Sequence, residues 1–449
     1  MRKYVLSWSL CLAPLTPALA QGDADRPFRD YDAGSYAEAL DGARAALRDD
    51  PRNPVWWALV AEAEAQLQQH QAAADAFGQA AAFEPYAARR SYFLRAQAMQ
   101  LVNAGRREAA RGVVKQALAE PVLAAADSLD WAMVAISAGD DLSAQEILAN
   151  EDLYPSFDRQ TALDAAYSAR RAGLDARAAR FFAFGLTLDT AASQPLPQAQ
   201  VEAIRREIRE LERRWSLLAV ASYSTAASPL GLGTPAFDAT EAFQTGAEAA
   251  WRIGGWRSGR PVHVFARVFH TETPGGSHTG GNATQGWLGV RYKPLAALNL
   301  NLEASRTIAL DPDGRDDWSM RAAISGGRGL EPSTDRRGWI YGHYYADLSF
   351  LLESDLFYGT AETRGGYSLR LDKRATTLTP YATARLGLDT GRAQAHDLGA
   401  GVGLSLRHWY AETRNVAYRG FIDLDIQARQ GITGDGRASG VQATLTLGR

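Results

Sequence analysis

The segment TTLTPYATARLGL, residues 376–388, alternates between two chemistries. Leu378, Ala382, Ala384, Leu386 and Leu388 take one parity; Thr377, Thr379, Tyr381, Thr383, Arg385 and Gly387 take the other. LGAGVGLSLRHW (398–409), FIDLDIQAR (421–429) and VQATLTL (441–447) repeat the pattern. A strict period of two makes strands with one apolar and one polar face. Successive strands of about ten residues, split by short turns, carry the signature of a transmembrane β-barrel.

Working upstream, the alternation continues to Trp215. Further strands are expected at 215–223, 243–253, 262–270, 286–292, 298–306, 318–325, 339–350 and 356–371, about twelve in all. An even count puts both ends of the barrel on one side. Loops at 226–240, 275–282, 311–316, 389–394 and 433–437 fall on the outer side, and turns at 254–261, 296–297, 330–337 and 412–417 on the inner side. Trp215, Trp251, Trp256, Trp287, Trp318, Trp339, Trp409 and Tyr410 fall mostly at strand ends, as membrane-girdle residues do.

Charged residues choose the other parity. Arg252, Arg267, Arg291, Arg321, Arg364, Arg385, Arg407 and Arg429 lie opposite the apolar stripes, with Glu248, Glu303, Asp347, Glu362, Asp423 and Asp425. An arginine facing lipid at the midplane costs about 2–4 kcal/mol. This face is therefore expected to look inward. Two readings remain open: arginine ladders that escort a polyanionic or hydroxyl-rich polymer, or a filled lumen with internal salt bridges, such as Arg407 or Arg429 to Asp423 or Asp425.

The rest of the chain is of another kind. Its 449 residues exceed one ordinary domain. A net charge of −3 argues against nucleic acid as a partner. Residues 1–20 read as a signal peptide: Arg2 and Lys3, an apolar run, then Ala18-Leu19-Ala20. Cys11, the only cysteine, lies within it, so no disulfide framework or cysteine metal site is expected afterwards.

Residues 21–190 are rich in Ala, Arg, Glu and Leu at helical spacing. Gly105, Gly139 and Gly173 are each 34 residues apart, as are Pro51 and Pro85. Ala39, Ala43 and Ala46 recur as Ala73, Phe77 and Ala80. Glycine permits a tight turn, alanine lets paired helices approach, and proline stops the second helix. A 34-residue period of this form resembles the tetratricopeptide repeat. About five repeats fit, the fourth (131–148) degenerate. Such arrays bind proteins or peptides and carry no chemistry of their own. Residues 191–214 hold a linker and a charged helix whose narrow stripe is Val201, Ile204, Ile208 and Leu211. This helix is either a cap joining the array to the barrel, with Arg213 and Arg214 at the membrane rim, or a solvated charge run. The fold class is thus multidomain α + β: an N-terminal α-solenoid, then an antiparallel transmembrane barrel over 215–449.

The dispersed histidines, and the lack of a nucleophile elbow or a phosphate-binding glycine loop, point to no enzyme, no metal and no cofactor. His343 near Asp347 is the one catalytic candidate that can be named.

Several motifs carry a family resemblance: GWIYG (338–342), YGTAETRGGY (358–367), LTPY (378–381), GVGLSLRHWY (401–410) and YRGFIDL (418–424). With the signal peptide and repeats, they resemble repeat-plus-barrel exopolysaccharide exporters of the outer membrane, and within these the NfrA family, the bacteriophage adsorption protein A type. The array is shorter than that family usually carries, and the chain ends Leu447-Gly448-Arg449 without a final aromatic. The resemblance implies export or anchoring of a surface exopolysaccharide, with phage attachment as a use of the same surface. Expected partners are outer-membrane lipid, the barrel-assembly machinery, periplasmic or inner-membrane proteins held by the repeats, and polysaccharide. Surface translocation of proteins or lipoproteins and a passive receptor or adhesin are the alternatives.

Overall fold

A computed structural model describes residues 25–125, 127–225, 241–272, 283–312, 314–332, 336–372, 375–391, 394–434 and 438–449. The expected signal peptide and the loops at 226–240 and 275–282 lie outside them. The chain divides into two compact units, Met1–Tyr154 and Pro155–Arg449.

The first unit is a stack of helix pairs: α1 (Arg26–Asp32) with α2 (Tyr36–Asp49), α3 (Pro54–Gln66) with α4 (His70–Phe83), and α5 (Ala87–Asn103) with α6 (Arg107–Leu118). After a short α7 (Pro121–Ala125) comes α8 (Ser128–Ala138) with α9 (Asp141–Ile147). The connections share one geometry. Gly34, Gln68, Gly105 and Gly139 take positive φ between 62° and 80°. At Gly105 the amide donates to Val102 O (3.0 Å) and the Arg106 amide to Leu101 O (2.8 Å). This left-handed cap satisfies the last helical carbonyls and turns the chain. Gln68 and Gln69 repeat it on Ala65 and Glu64, without glycine. The alanines let the helices close: Ala39, Ala43, Ala73 and Ala80 are fully buried. Phe77 and Phe93 fill one core and Trp131 another, its indole donating to Ser91 Oγ at 2.9 Å.

The second unit starts with α10 (Arg159–Arg171) and α11 (Asp175–Asp189), joined through Gly173 at φ 76°. The fifth repeat therefore groups with the barrel, and the division falls inside the expected 21–190 array. Next comes α12 (Gln198–Glu212), packed on α11.

The barrel has twelve antiparallel strands: β1 (Trp215–Ser224), β2 (Ala242–Ile253), β3 (Val262–Glu272), β4 (Ala283–Tyr292), β5 (Asn299–Ala309), β6 (Asp317–Arg328), β7 (Gly338–Leu351), β8 (Leu356–Arg370), β9 (Thr376–Asp389), β10 (His396–Tyr410), β11 (Gly420–Thr433) and β12 (Gly440–Gly448). Each pairs with the next and β12 pairs with β1, so no edge remains. Its polarity is the inverse of a water-soluble fold. Leu288, Val402, Leu424, Ile426 and Val441 are exposed, while Thr379, Thr383, Asp423 and Asp425 are buried. In lipid this is the stable arrangement: closure satisfies the backbone, and the apolar wall faces acyl chains. The tryptophans divide. Trp215, Trp251 and Trp318 are exposed on the outer wall, but Trp287, Trp339 and Trp409 are buried, on the inward parity. Among the tryptophans the girdle reading fits Trp215, Trp251 and Trp318, and Tyr410 also lies on the outward parity at the end of β10. Trp409 lies beside Tyr418 and Phe421, and the Trp339 indole donates to Gly329 O (2.9 Å).

Candidate functional site

The inward wall carries two groups of ion pairs. In the first, Arg267 bonds Glu248 (2.6 Å) and Glu303 (3.3 Å), Arg291 bonds the same two carboxylates (2.8 and 2.7 Å), and Arg321 bonds Glu303 (3.1 Å) and Asp347 (2.9 Å). Register produces this. Glu248 is opposite Arg267, and Glu303 faces Arg291 on one side and Arg321 on the other. Charge pairing and the period of two thus select one alignment.

In the second group Arg364 bonds Glu362 (2.6 Å) and Asp425 (3.0 Å), and Arg407 bonds Asp423 (3.1 Å). The Tyr381 hydroxyl donates to Asp425 at 2.8 Å. Tyr381 is on β9 and Asp425 on β11, so the bond passes over β10. It can do so because β10 presents Gly399, Gly401 and Gly403 inward. A Cβ on Gly403 would stand 2.3 Å from the Tyr381 ring, and one on Gly366 of β8 would stand 2.9 Å from Tyr381 Cβ. The glycines form a seat for the ring.

Arg407 to Asp423 is one of the expected pairs. Asp425 is taken instead by Arg364 and Tyr381, and Arg429 reaches Gln442 (3.5 Å). Arg385 lies opposite Glu362. Asp347, the proposed partner of His343, is held by Arg321. Arg267, Arg321, Arg385 and Arg429 are all buried. A cavity of about 240 Å³ remains within the lumen, between neutral Thr444, Thr446 and Gln442 on one side and Glu362, Arg364 and Asp423 on the other.

Arg252 has a different task. It stands at the mouth, and its guanidinium donates to Glu210 O (2.6 Å) and Leu211 O (2.8 Å), the last carbonyls of α12. A cation there satisfies orphan carbonyls and complements the helix dipole. Helix α12 is held at further points. Arg205 bonds Glu412 (2.6 Å), Thr413 O (2.6 Å) and Val416 O (3.2 Å) on the β10–β11 turn. Arg206 and Arg209 both bond Glu331 on the β6–β7 turn, at 2.7 and 2.9 Å. Burial works against the Glu331 charge, yet Arg209 and Arg206 outweigh it and hold the carboxyl below the usual carboxylate range. Glu212 pairs with Arg419. On α11, Asp175 accepts from the Trp256 amide at 2.5 Å.

These contacts fix where the helix lies. The β6–β7 and β10–β11 turns are four strands apart in a ring of twelve. Strands about 4.8 Å apart and tilted about 40° make such a ring roughly 24 Å across. A 15-residue helix is about 22 Å long. A single helix that touches both turns and β2 lies over the opening. It is the cap, not the solvated charge run. Ile204, Ile208 and Leu211 are buried as its stripe required. The anchoring of Arg252 and Arg205 was not legible from local sequence, because their partners are distant in the chain.

Fold and site define a class: a repeat-bearing transmembrane β-barrel with a charge-paired lumen and a helix across one mouth. Residues 276–445, from just before β4 into β12, match the family described as bacteriophage N adsorption protein A, C-terminal region. The C-terminal part of the chain is thus NfrA-like, as its motifs implied. No curated protein matches the chain. Solved structures with partial likeness include MamA (13% identity, TM-score 0.31, covering 38% of this chain and 94% of that one) and the type IV pilus biogenesis factor PilW (18%, 0.30, 42% and 83%). An outer membrane channel from Pseudomonas putida F1 is another (10%, 0.30, 53% and 94%).

Proposed function

We propose that the protein is an outer-membrane anchor for a surface exopolysaccharide system, its helical repeats lying in the periplasm and recruiting synthesis or modification proteins. Of export and anchoring, the geometry supports anchoring better. The observation that carries this is the lumen itself, where arginines are matched to carboxylates and α12 lies over the mouth. A polymer would have to break that network to pass. The protein has no catalytic role in this reading, needs no cofactor, and enters the membrane through the barrel-assembly machinery. Deletion of the gene is expected to remove or release the surface glycan, read by lectin or antibody labelling of whole cells. Normal glycan on the deletion strain overturns the proposal. If surface-exposed lipoproteins are lost instead, protein translocation is the function.

A second reading has one specific support. The matched family is described as a phage adsorption protein. A filled barrel displaying outer loops serves equally as a receptor, and phage binding to purified protein separates the two.

A further inference from the structure

One sector of the rim beside α12 carries charge of a single sign. The β2–β3 turn reads GGWRSGRP (254–261), and the segment after β4 reads KPLAAL (293–298); neither contains a carboxylate. Arg257 and Arg260 are exposed on the first, with Arg214 just before β1 and Arg449 just after β12. These strands are neighbours in the ring, so the four guanidinium groups share one side of it. Three carboxylates border the sector and are engaged: Asp175 with Arg252 and the Trp256 amide, Glu210 with Arg209, and Glu212 with Arg419.

The same sector carries exposed aromatic rings on its outer wall. Trp215 is 61% exposed and Trp251 41%, with centroids 6.2 Å apart, and Tyr292 is 40% exposed. Arg449 exchanges backbone hydrogen bonds with Leu217 (2.8 and 2.9 Å), which sets it level with that exposed leucine. The opposite end of the barrel is of mixed sign: its described turns present Asp316, Glu353 and Asp355 together with Arg315, and Glu353 pairs with Arg306.

We propose that this sector is a docking surface for anionic phospholipid headgroups in the leaflet on the α12 side. Exposed indoles and phenols settle at headgroup level. Arginine stems run along apolar wall while their charge stays at the interface. Basic clusters there are drawn to net negative lipid. A zwitterionic headgroup offers the same phosphate but sets an ammonium beside it, so the sector favours headgroups that lack one. This inference depends on the barrel being in a bilayer and not on any polymer.

The test is unfolding temperature of the full chain in phosphatidylcholine vesicles with and without phosphatidylglycerol. Phosphatidylglycerol is expected to raise it by several degrees, and high salt to erase the rise. The variant R214Q/R257Q/R260Q/R449Q is expected to unfold like wild type in phosphatidylcholine and to gain nothing from phosphatidylglycerol. Should that variant not fold, R257Q/R260Q, confined to one turn, is read by the amount of phosphatidylglycerol that co-purifies, which should fall severalfold. An unchanged unfolding temperature on adding phosphatidylglycerol, an equal rise in the quadruple variant, undiminished co-purification with the double variant, or a rise reproduced by inorganic phosphate in phosphatidylcholine vesicles overturns it.

Discussion

Gln68 sits where the other four repeat turns place glycine, at φ 62°. A side chain in the left-handed region costs about 1–2 kcal/mol, and glycine escapes it. Gln68→Gly is therefore expected to stabilise the helical unit by about 1 kcal/mol, read from denaturant unfolding of the helical signal. The same residue accounts for what the sequence hid. Gly105, Gly139 and Gly173 advertise the period, but the second turn lacks its marker and the next interval is longer. The lumen has its own residue-scale test. A methyl on Gly403 meets the Tyr381 ring at 2.3 Å. Gly403→Ala should push the ring off Asp425 and destabilise the barrel by about 1–3 kcal/mol, as overpacking does; unchanged thermal stability would show that the seat gives way freely. Tyr381 was legible as inward from its parity. Its reach across β10 was not, because it depends on what a neighbouring strand lacks.

At the scale of elements, α12 separates pattern from placement. Its apolar stripe was visible, and its charges were compatible with open water. Only the folded ring brings Glu331 and Glu412 to Arg205, Arg206 and Arg209. The docking has a pH signature. Glu331 is held below its ordinary value in the folded state by Arg209 and Arg206. Its contribution is fully present above the unfolded value and is lost as pH falls through the depressed folded one. The cap should stay docked at neutral pH and loosen only in acid, followed by a spin label on the exposed face at Gln200. In Glu331→Gln that acid step should vanish, and α12 should already be more mobile at neutral pH. The fifth repeat teaches a related lesson. Gly173 follows Gly139 by the same 34 residues that separate Gly139 from Gly105, so nothing local announces that α10 and α11 group with the barrel.

For the whole molecule, the barrel was the most legible part, because few folds besides a closed sheet in lipid sustain a period of two over twelve strands. Strand positions followed, as did the inward face, since charge avoids lipid. The direction of individual tryptophans did not. An aromatic at a strand end suits either wall, and Trp287, Trp339 and Trp409 turned inward to packing partners. The state of the lumen also needed the fold. Arginine ladders read alike in a conduit and in a filled barrel, until the register set Arg267, Arg291, Arg321, Arg385 and Arg407 each opposite a carboxylate. The central claim is that this barrel rests closed, filled by its own ion pairs and capped by α12. Single-channel recording of the purified full chain in a planar bilayer tests it most directly. The membrane is expected to stay silent after insertion; a steady, large conductance from the unmodified protein overturns the closed lumen.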